Sequence, residues 1–295
     1  MSLVEQTIAR LKKQGIKVPS APVSDRSPHG IGHGPAHDRL EDTASLAKHI
    51  TVDNAALRAR GYFPEQDRDR QFADQYRRIK RPLIDKALTG SATIGDPRTI
   101  MVTSALPGDG KTFTSINLAL SMALERDVSV LLIDADVAKR HVSQIFGLGE
   151  QAGLLDALLD ESLDPESLVV PTTTRGLSIL PAGRHVAGTA ELLSSNQMGK
   201  IISGLSARNP RRILLLDSSP LLVTNEGRSL VKVSGQVVLV VRAEGTPRQA
   251  VQAAVELFDA AQAGGVVLNQ VQQSSTEGYY GYGSYGTYGA DGDQP

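Results

Sequence analysis

The residues with the most specific chemistry are Ala105-Leu106-Pro107-Gly108-Asp109-Gly110-Lys111-Thr112. A glycine turn closing on Lys-Thr, after an apolar run and before a helical stretch, fits a phosphate-binding loop. Gly108 and Gly110 let the main chain approach phosphate oxygens closely. The N–H groups that open the helix, through Phe113, point toward the ligand, and the helix dipole favours an anion there. Lys111 suits the β- and γ-phosphates of a nucleotide, and the Thr112 hydroxyl suits Mg²⁺. The candidate nucleotide-binding residues here are therefore Gly108, Asp109, Gly110, Lys111, Thr112 and Phe113.

Carboxylates end two further apolar runs: Leu131-Leu132-Ile133-Asp134-Ala135-Asp136 and Leu214-Leu215-Leu216-Asp217-Ser218-Ser219-Pro220. In open α/β sheets, ligands bind beyond the carboxyl ends of the strands. The loop, Asp134, Asp136 and Asp217 should all lie at that edge. Mg²⁺ takes hard oxygen ligands and commonly uses one or two carboxylates. A further carboxylate can receive or position the proton of a nucleophile. A third feature is compositional. The chain has seven Tyr, and five of them (Tyr279, Tyr280, Tyr282, Tyr285, Tyr288) crowd ten residues near the C-terminus.

These groups need strands and helices to hold them. Thr99–Ser104, Val128–Ile133, Leu177–Leu180, Arg212–Leu216, Gln236–Val241 and Gly265–Leu268 read as continuous apolar strands, hence strands buried on both faces. Helical stretches at Phe113–Glu125, 153–160, 189–206, 226–233 and 247–262 lie between them. The alternation predicts an α/β domain, a doubly wound and mostly parallel sheet flanked by helices, over residues 91–271. The rest reads as an N-terminal extension and a C-terminal tail. Residues 1–17 predict a short amphipathic helix with Leu3, Val4, Ile8 and Leu11 on one face. Residues 18–60 read as a flexible linker, Pro-, Gly-, Ser- and His-rich in their first half. Residues 61–90 form a helical extension, with Asp74–Arg81 its clearest helix. Residues 272–295 carry Gly, Ser, Tyr and a few acids, which predicts disorder. His29, His33, His37 and His49 read as solvated linker residues.

Taken together, these motifs resemble the bacterial tyrosine kinases of the polysaccharide-biosynthesis type, the autokinases of exopolysaccharide and capsule loci. The resemblance covers about 70–295. It rests on the loop at Ala105–Thr112, Asp134/Asp136, Asp217–Pro220 and the tyrosine cluster. Gly153–Asp156, Leu180–Gly183, Glu191–Ser195 and Val267–Asn269 match connecting motifs. It implies a P-loop fold and ATP-dependent phosphorylation of the chain's own tail at Tyr279, Tyr280, Tyr282, Tyr285 and Tyr288. By the same resemblance Lys111, Asp134, Asp136 and Asp217 are catalytic. Thr112 and Asp136 hold Mg²⁺, Asp217 supports it, Asp134 is the candidate base and Asn269 reads adenine. The residues alone leave the division between Asp134 and Asp136 open.

Two positions depart from the family pattern. Ala138 stands where an Arg is usual, with Lys139 and Arg140 following. Gln75-x-x-Arg78-x-x-Arg81 stands where a Glu-x-x-Arg-x-x-Arg motif serves ring assembly. A neutral Gln75 weakens that interface or shifts the ion pair to Asp74. The implied partners are a membrane-bound polysaccharide co-polymerase that activates the kinase, further copies of the chain and a tyrosine phosphatase.

Composition narrows the alternatives. Lys+Arg 31 against Asp+Glu 32 leaves a net charge of −1, which argues against a nucleic-acid binder. The absence of Cys excludes disulfides and thiolate chemistry. No apolar run approaches the roughly 20 residues that span a bilayer, so the expected place is the cytoplasm, at the inner face of the membrane through a partner. Two other readings remain at this stage. One is a nucleotide-switched ATPase of the partition or cell-division-site kind, which carries a signature lysine where this chain has Leu106. The other is a degenerate kinase that acts only by ATP-dependent assembly.

Overall fold

The structure, a computed structural model, describes residues 49–64, 68–90, 94–184, 186 and 188–271. The expected N-terminal helix, most of the linker and the tyrosine tail lie outside the described residues.

The strands are β1 (Thr99–Ser104), β2 (Ser129–Asp134), β3 (Val170–Pro171), β4 (Leu177–Leu180), β5 (Arg212–Asp217), β6 (Gln236–Arg242) and β7 (Ala263–Asn269). They form one sheet in the order β3-β4-β2-β5-β1-β6-β7. Every pairing is parallel except that of the short edge strand β3 with β4. The helices are α1 (Asn54–Ala59), α2 (Asp69–Thr89), α3 (Lys111–Ala123), α4 (His141–Ile145), α5 (Leu154–Leu159), α6 (Thr189–Ser194), α7 (Asn196–Ala207), α8 (Asn225–Val231) and α9 (Arg248–Val255).

The apolar runs are continuous because successive strand residues face two different cores. Met101, Leu131, Ile133, Leu214, Leu216 and Leu239 pack with α5, α7, α8 and α9 on one side. Ile100, Val102, Val130, Leu132, Ile213, Leu215, Val238 and Val240 pack with α2 and α3 on the other. All of these strand residues are at most 2% exposed, so each is a full hydrophobic burial of about 1.5–3 kcal/mol.

Three local departures from the expected elements have physical reasons. Residues 49–60, assigned to the linker by composition, are part of the domain. Ile50 bridges to Thr172, Val52 N–H donates to Thr173 Oγ1, and Asp53 caps α1, which buries Leu57. The stretch 189–206 is two helices, because Ser195 adopts an extended backbone between α6 and α7. The stretch 247–262 likewise divides into α9 and a 3-10 turn at Ala260–Gln262, capped by Asp259.

The extension over 61–90 is dominated by α2. Its buried residues Tyr76, Lys80, Leu83 and Ala87 recur at helical spacing. Lys80 reaches across to α3, donating to the Ser121 carbonyl at 2.5 Å and pairing with Glu125 at 2.9 Å. Phe72 links this helix to Phe113 through an edge-to-face contact at 5.9 Å. No helix among the described residues is long and apolar enough to cross a membrane.

Candidate phosphoryl-transfer site

The sheet order places β1 between β5 and β6, with β2 beyond β5, so the loops after all four strands open at one edge. The chain leaves β1 through Gly108 and Gly110, both at positive φ (+88° and +97°), and enters α3 at Lys111. Gly110 is constrained twice. Its backbone is left-handed, and a Cβ there would lie 1.9 Å from Asn269 Nδ2. Asn269 ends β7 and donates from Nδ2 to the Asp109 carbonyl at 2.9 Å, so the last strand braces the loop.

Asp134 and Asp217 are directly opposite each other at the ends of β2 and β5. Both are fully buried. Asp217 accepts hydrogen bonds from the Thr112 and Ser115 hydroxyls, each at 2.9 Å. Burial pushes its carboxyl up to about 7, with help from the Asp134 charge, and the two hydroxyls only partly offset this. Asp134 is pushed up to about 6, again chiefly by burial. Its Oδ2 accepts from the Ser143 N–H at 2.7 Å and the Ser143 hydroxyl at 2.6 Å. Its Oδ1 is buried without a partner. Asp136, 3% exposed, accepts from the Ser219 hydroxyl at 2.9 Å. Lys111 is buried at the start of α3. Burial and the like charge of Lys139 lower its pKa, while Asp217, Asp136 and Asp109 raise it.

The structure therefore brings together Gly108, Asp109, Gly110, Lys111, Thr112, Asp134, Asp136, Asp217 and Asn269. Phe113 is different. Its ring packs on Phe72, so what it offers the site is its main-chain N–H in the first turn of α3. Arg140 is left-handed (φ 52°) and donates to the carbonyls of Gly149 and Gly183, which ties it to the loops behind Asp134. Ala138 and Lys139 are exposed. Gln75, Arg78 and Arg81 lie exposed on α2, while Asp74 pairs with Arg77 at 2.7 Å. The five tail tyrosines lie outside the described residues.

Several residues that shape the site had not been singled out in the sequence. Ser115 lies one helical turn after Thr112, and that spacing is a usable signal. Ser219 follows Asp217 in the same turn. Ser143 and Thr246 carry no local signal, since their partners Asp134 and Asp109 come from other elements.

The donor set suits a hard cation. The Thr112 hydroxyl and the Asp136 and Asp217 carboxylates offer hard oxygen donors at this one edge. No cluster of three or more His, Cys, Asp or Glu among the described residues is arranged to hold a metal by itself. A cation here would need further oxygen donors from its ligand or from water.

Comparison with known proteins agrees with this geometry. The AAA domain family matches residues 97–265. The chain is 32% identical over 187 residues to the tyrosine-protein kinase YwqD of Bacillus subtilis, covering 62% of this chain and 77% of that protein. It is 31% identical over 178 residues to the tyrosine-protein kinase ptk of Acinetobacter johnsonii, covering 60% of this chain but only 24% of that longer relative. Among solved structures, the VpsO kinase domain superposes with a TM-score of 0.56 at 28% identity, over 70% of this chain and all of that one. The chain belongs to the bacterial tyrosine-kinase family, on a P-loop fold.

Proposed function

We propose that the chain is an ATP-dependent protein-tyrosine autokinase whose substrate is its own cluster at Tyr279, Tyr280, Tyr282, Tyr285 and Tyr288. The observation that carries the reading is the convergence of the loop Ala105–Thr112 with three buried aspartates at one sheet edge. The relatives named tyrosine-protein kinases support a tyrosine acceptor, and the tail offers five tyrosines.

The residues divide the work as follows. Main-chain N–H groups from Gly108 to Phe113, together with Lys111, bind the β- and γ-phosphates of ATP. Thr112, Asp136 and Asp217 are the oxygen donors for Mg²⁺. When bound, that ion neutralises charge on the transferring phosphoryl group. Asp134, held through Oδ2, has Oδ1 free to take the proton of the tyrosine hydroxyl. The phenolic oxygen then bonds to the γ-phosphorus, the bond from that phosphorus to the β–γ bridging oxygen breaks, and ADP leaves. Asn269 lies beside the loop, where it supports the nucleotide and contacts its base.

Phosphorylation adds about −1.5 to −2 charge per tyrosine to a tail with no Lys or Arg, so modified tails repel one another and loosen a homo-oligomer. Exposed Gln75, Arg78 and Arg81 on α2 are the proposed contact between copies. A membrane-bound polysaccharide co-polymerase as activator, a tyrosine phosphatase as its opponent, and control of exopolysaccharide polymerisation and export complete the reading. It places the chain at the cytoplasmic face of the membrane and without a nucleic-acid partner.

The test is incubation with Mg·ATP followed by phosphotyrosine detection, alone and with the membrane partner. Signal that is lost in Lys111→Met and in a truncation after Gln273 supports the reading. No signal under either condition refutes it.

A further inference from the structure

The loop holds a negative charge of its own. Asp109 lies between the two glycines, in a segment built to bind anions, and is 3% exposed. Its charge acts on the neighbouring Lys111. A free carboxylate there would repel a nucleotide's phosphates, so its direction matters. Two groups hold it. The Thr246 hydroxyl donates to Asp109 Oδ1 at 2.7 Å, and the Leu106 N–H makes a longer 3.4 Å contact to Oδ2. Thr246 comes from the loop between β6 and α9, 137 residues away, and is itself fixed. Its hydroxyl accepts from Arg242 N–H at 3.1 Å, and its own N–H donates to the Arg242 carbonyl at 3.1 Å. Asn269 holds the Asp109 carbonyl from the neighbouring strand, and Ala243 N–H donates to the Asn269 carbonyl at 2.8 Å. The turns after β6 and β7 thus form one hydrogen-bonded unit that grips Asp109 by its side chain and its main chain.

We propose that Thr246 is a positioning residue for the phosphate loop: it turns the Asp109 carboxylate away from the phosphates and so keeps the loop ready to bind a nucleotide. The inference rests on the nucleotide-binding reading of the loop and deepens it. Thr246 reaches the phosphates only through Asp109. A hydrogen bond to a charged group in a buried setting is among the stronger polar contacts. Its loss converts to about a tenfold weaker affinity at 1.4 kcal/mol per decade.

The experiment is calorimetric titration of the full chain with Mg·ADP, paired with steady-state kinetics of tail phosphorylation. Thr246→Val removes the donor and keeps the shape. It is expected to weaken Mg·ADP binding about tenfold and to raise the KM for ATP by a similar factor, with kcat unchanged. Thr246→Ser keeps the hydroxyl and should stay within threefold of the parent. Asp109→Ala removes the group being held, so adding Thr246→Val to it should weaken binding no further. Unchanged binding in Thr246→Val, failure of serine to rescue, or additive effects in the double variant would each overturn the inference. So would a fall in kcat at constant KM. Parent protein that binds Mg·ADP alongside an unaffected Thr246→Val refutes this inference alone. Parent protein that binds no nucleotide refutes the nucleotide reading and this inference with it.

Discussion

Replacing Gly110 with alanine should cost stability in two separable parts. The first is conformational: a non-glycine residue in the left-handed region, here φ +97°, costs about 1–2 kcal/mol. The second is steric. The new Cβ would lie 1.9 Å from Asn269 Nδ2, so the amide must swing away and give up its 2.9 Å bond to the Asp109 carbonyl. A hydrogen bond of that kind contributes about 0.5–1.5 kcal/mol. Gly110→Ala should therefore lose about 2–3 kcal/mol. At roughly 2–4 °C per kcal/mol for a domain of this size, the melting temperature falls by roughly 5–10 °C. Asn269→Ala alone loses only the bond, about 1 kcal/mol. The double variant should cost about the same as Gly110→Ala, because the bond is already broken there. Urea unfolding of the nucleotide-free protein, followed by far-ultraviolet circular dichroism, gives the three values. If the two single losses simply add to within about 0.5 kcal/mol, the proposed coupling between β7 and the loop is refuted.

Other expectations follow from the same geometry. Ser143→Ala removes one of two donors to Asp134 Oδ2 and should lower kcat for tail phosphorylation about tenfold or more with little change in ATP affinity; equal activity in parent and variant would exclude a role for that hydroxyl. Lys80→Met leaves the Ser121 carbonyl without its donor and should cost about 1–3 kcal/mol in denaturant unfolding, detaching α2 from α3. Stability should also depend on pH with an uncommon sign. Asp217 and Asp134 have folded values of about 7 and 6, above their unfolded values, so the native state holds extra protons between about pH 4 and 7. Their contribution is fully present below about pH 4 and is lost as pH rises through 7. Asp96 and Asp156 are lowered despite partial desolvation, by Arg98 and Arg184 respectively. Their contribution runs the other way and is lost on acidification below about pH 4. Urea midpoints across pH 3–8 should peak between these limits, and a monotonic rise toward pH 7 would contradict the buried pair.

The strands were legible in the sequence because burial on both faces writes an unbroken apolar run, as in Leu131–Ile133 and Leu214–Leu216. The phosphate loop was legible because glycine spacing and a Lys-Thr end are set by local backbone needs. Short elements were not. α4 spans five residues, too few for a helical period, and β3 is a two-residue edge strand. Residues 49–60 read as linker because their attachment to Thr172 and Thr173 comes from far along the chain, while their own composition is polar. Long-range polar contacts were equally hidden. Asp134 was visible as a strand-end acid, but nothing near it announced that Ser143 would hold one oxygen and leave the other bare. Arg140 follows Ala138 by two residues, and the sequence alone says nothing of where its side chain goes. Only the fold shows its guanidinium committed to the Gly149 and Gly183 carbonyls.

The side-by-side burial of Asp134 and Asp217 has a calorimetric consequence. Burial, with help from the Asp134 charge, pushes the Asp217 carboxyl up to about 7, so it binds its proton far more tightly than an ordinary aspartate. A cation that uses Asp217 must first displace that proton, so loading the site releases acid into the solvent. The heat of Mg·nucleotide binding will then vary with the ionisation enthalpy of the buffer, and its slope counts the protons expelled. Under the proposed assignment, filling the site would also be a deprotonation.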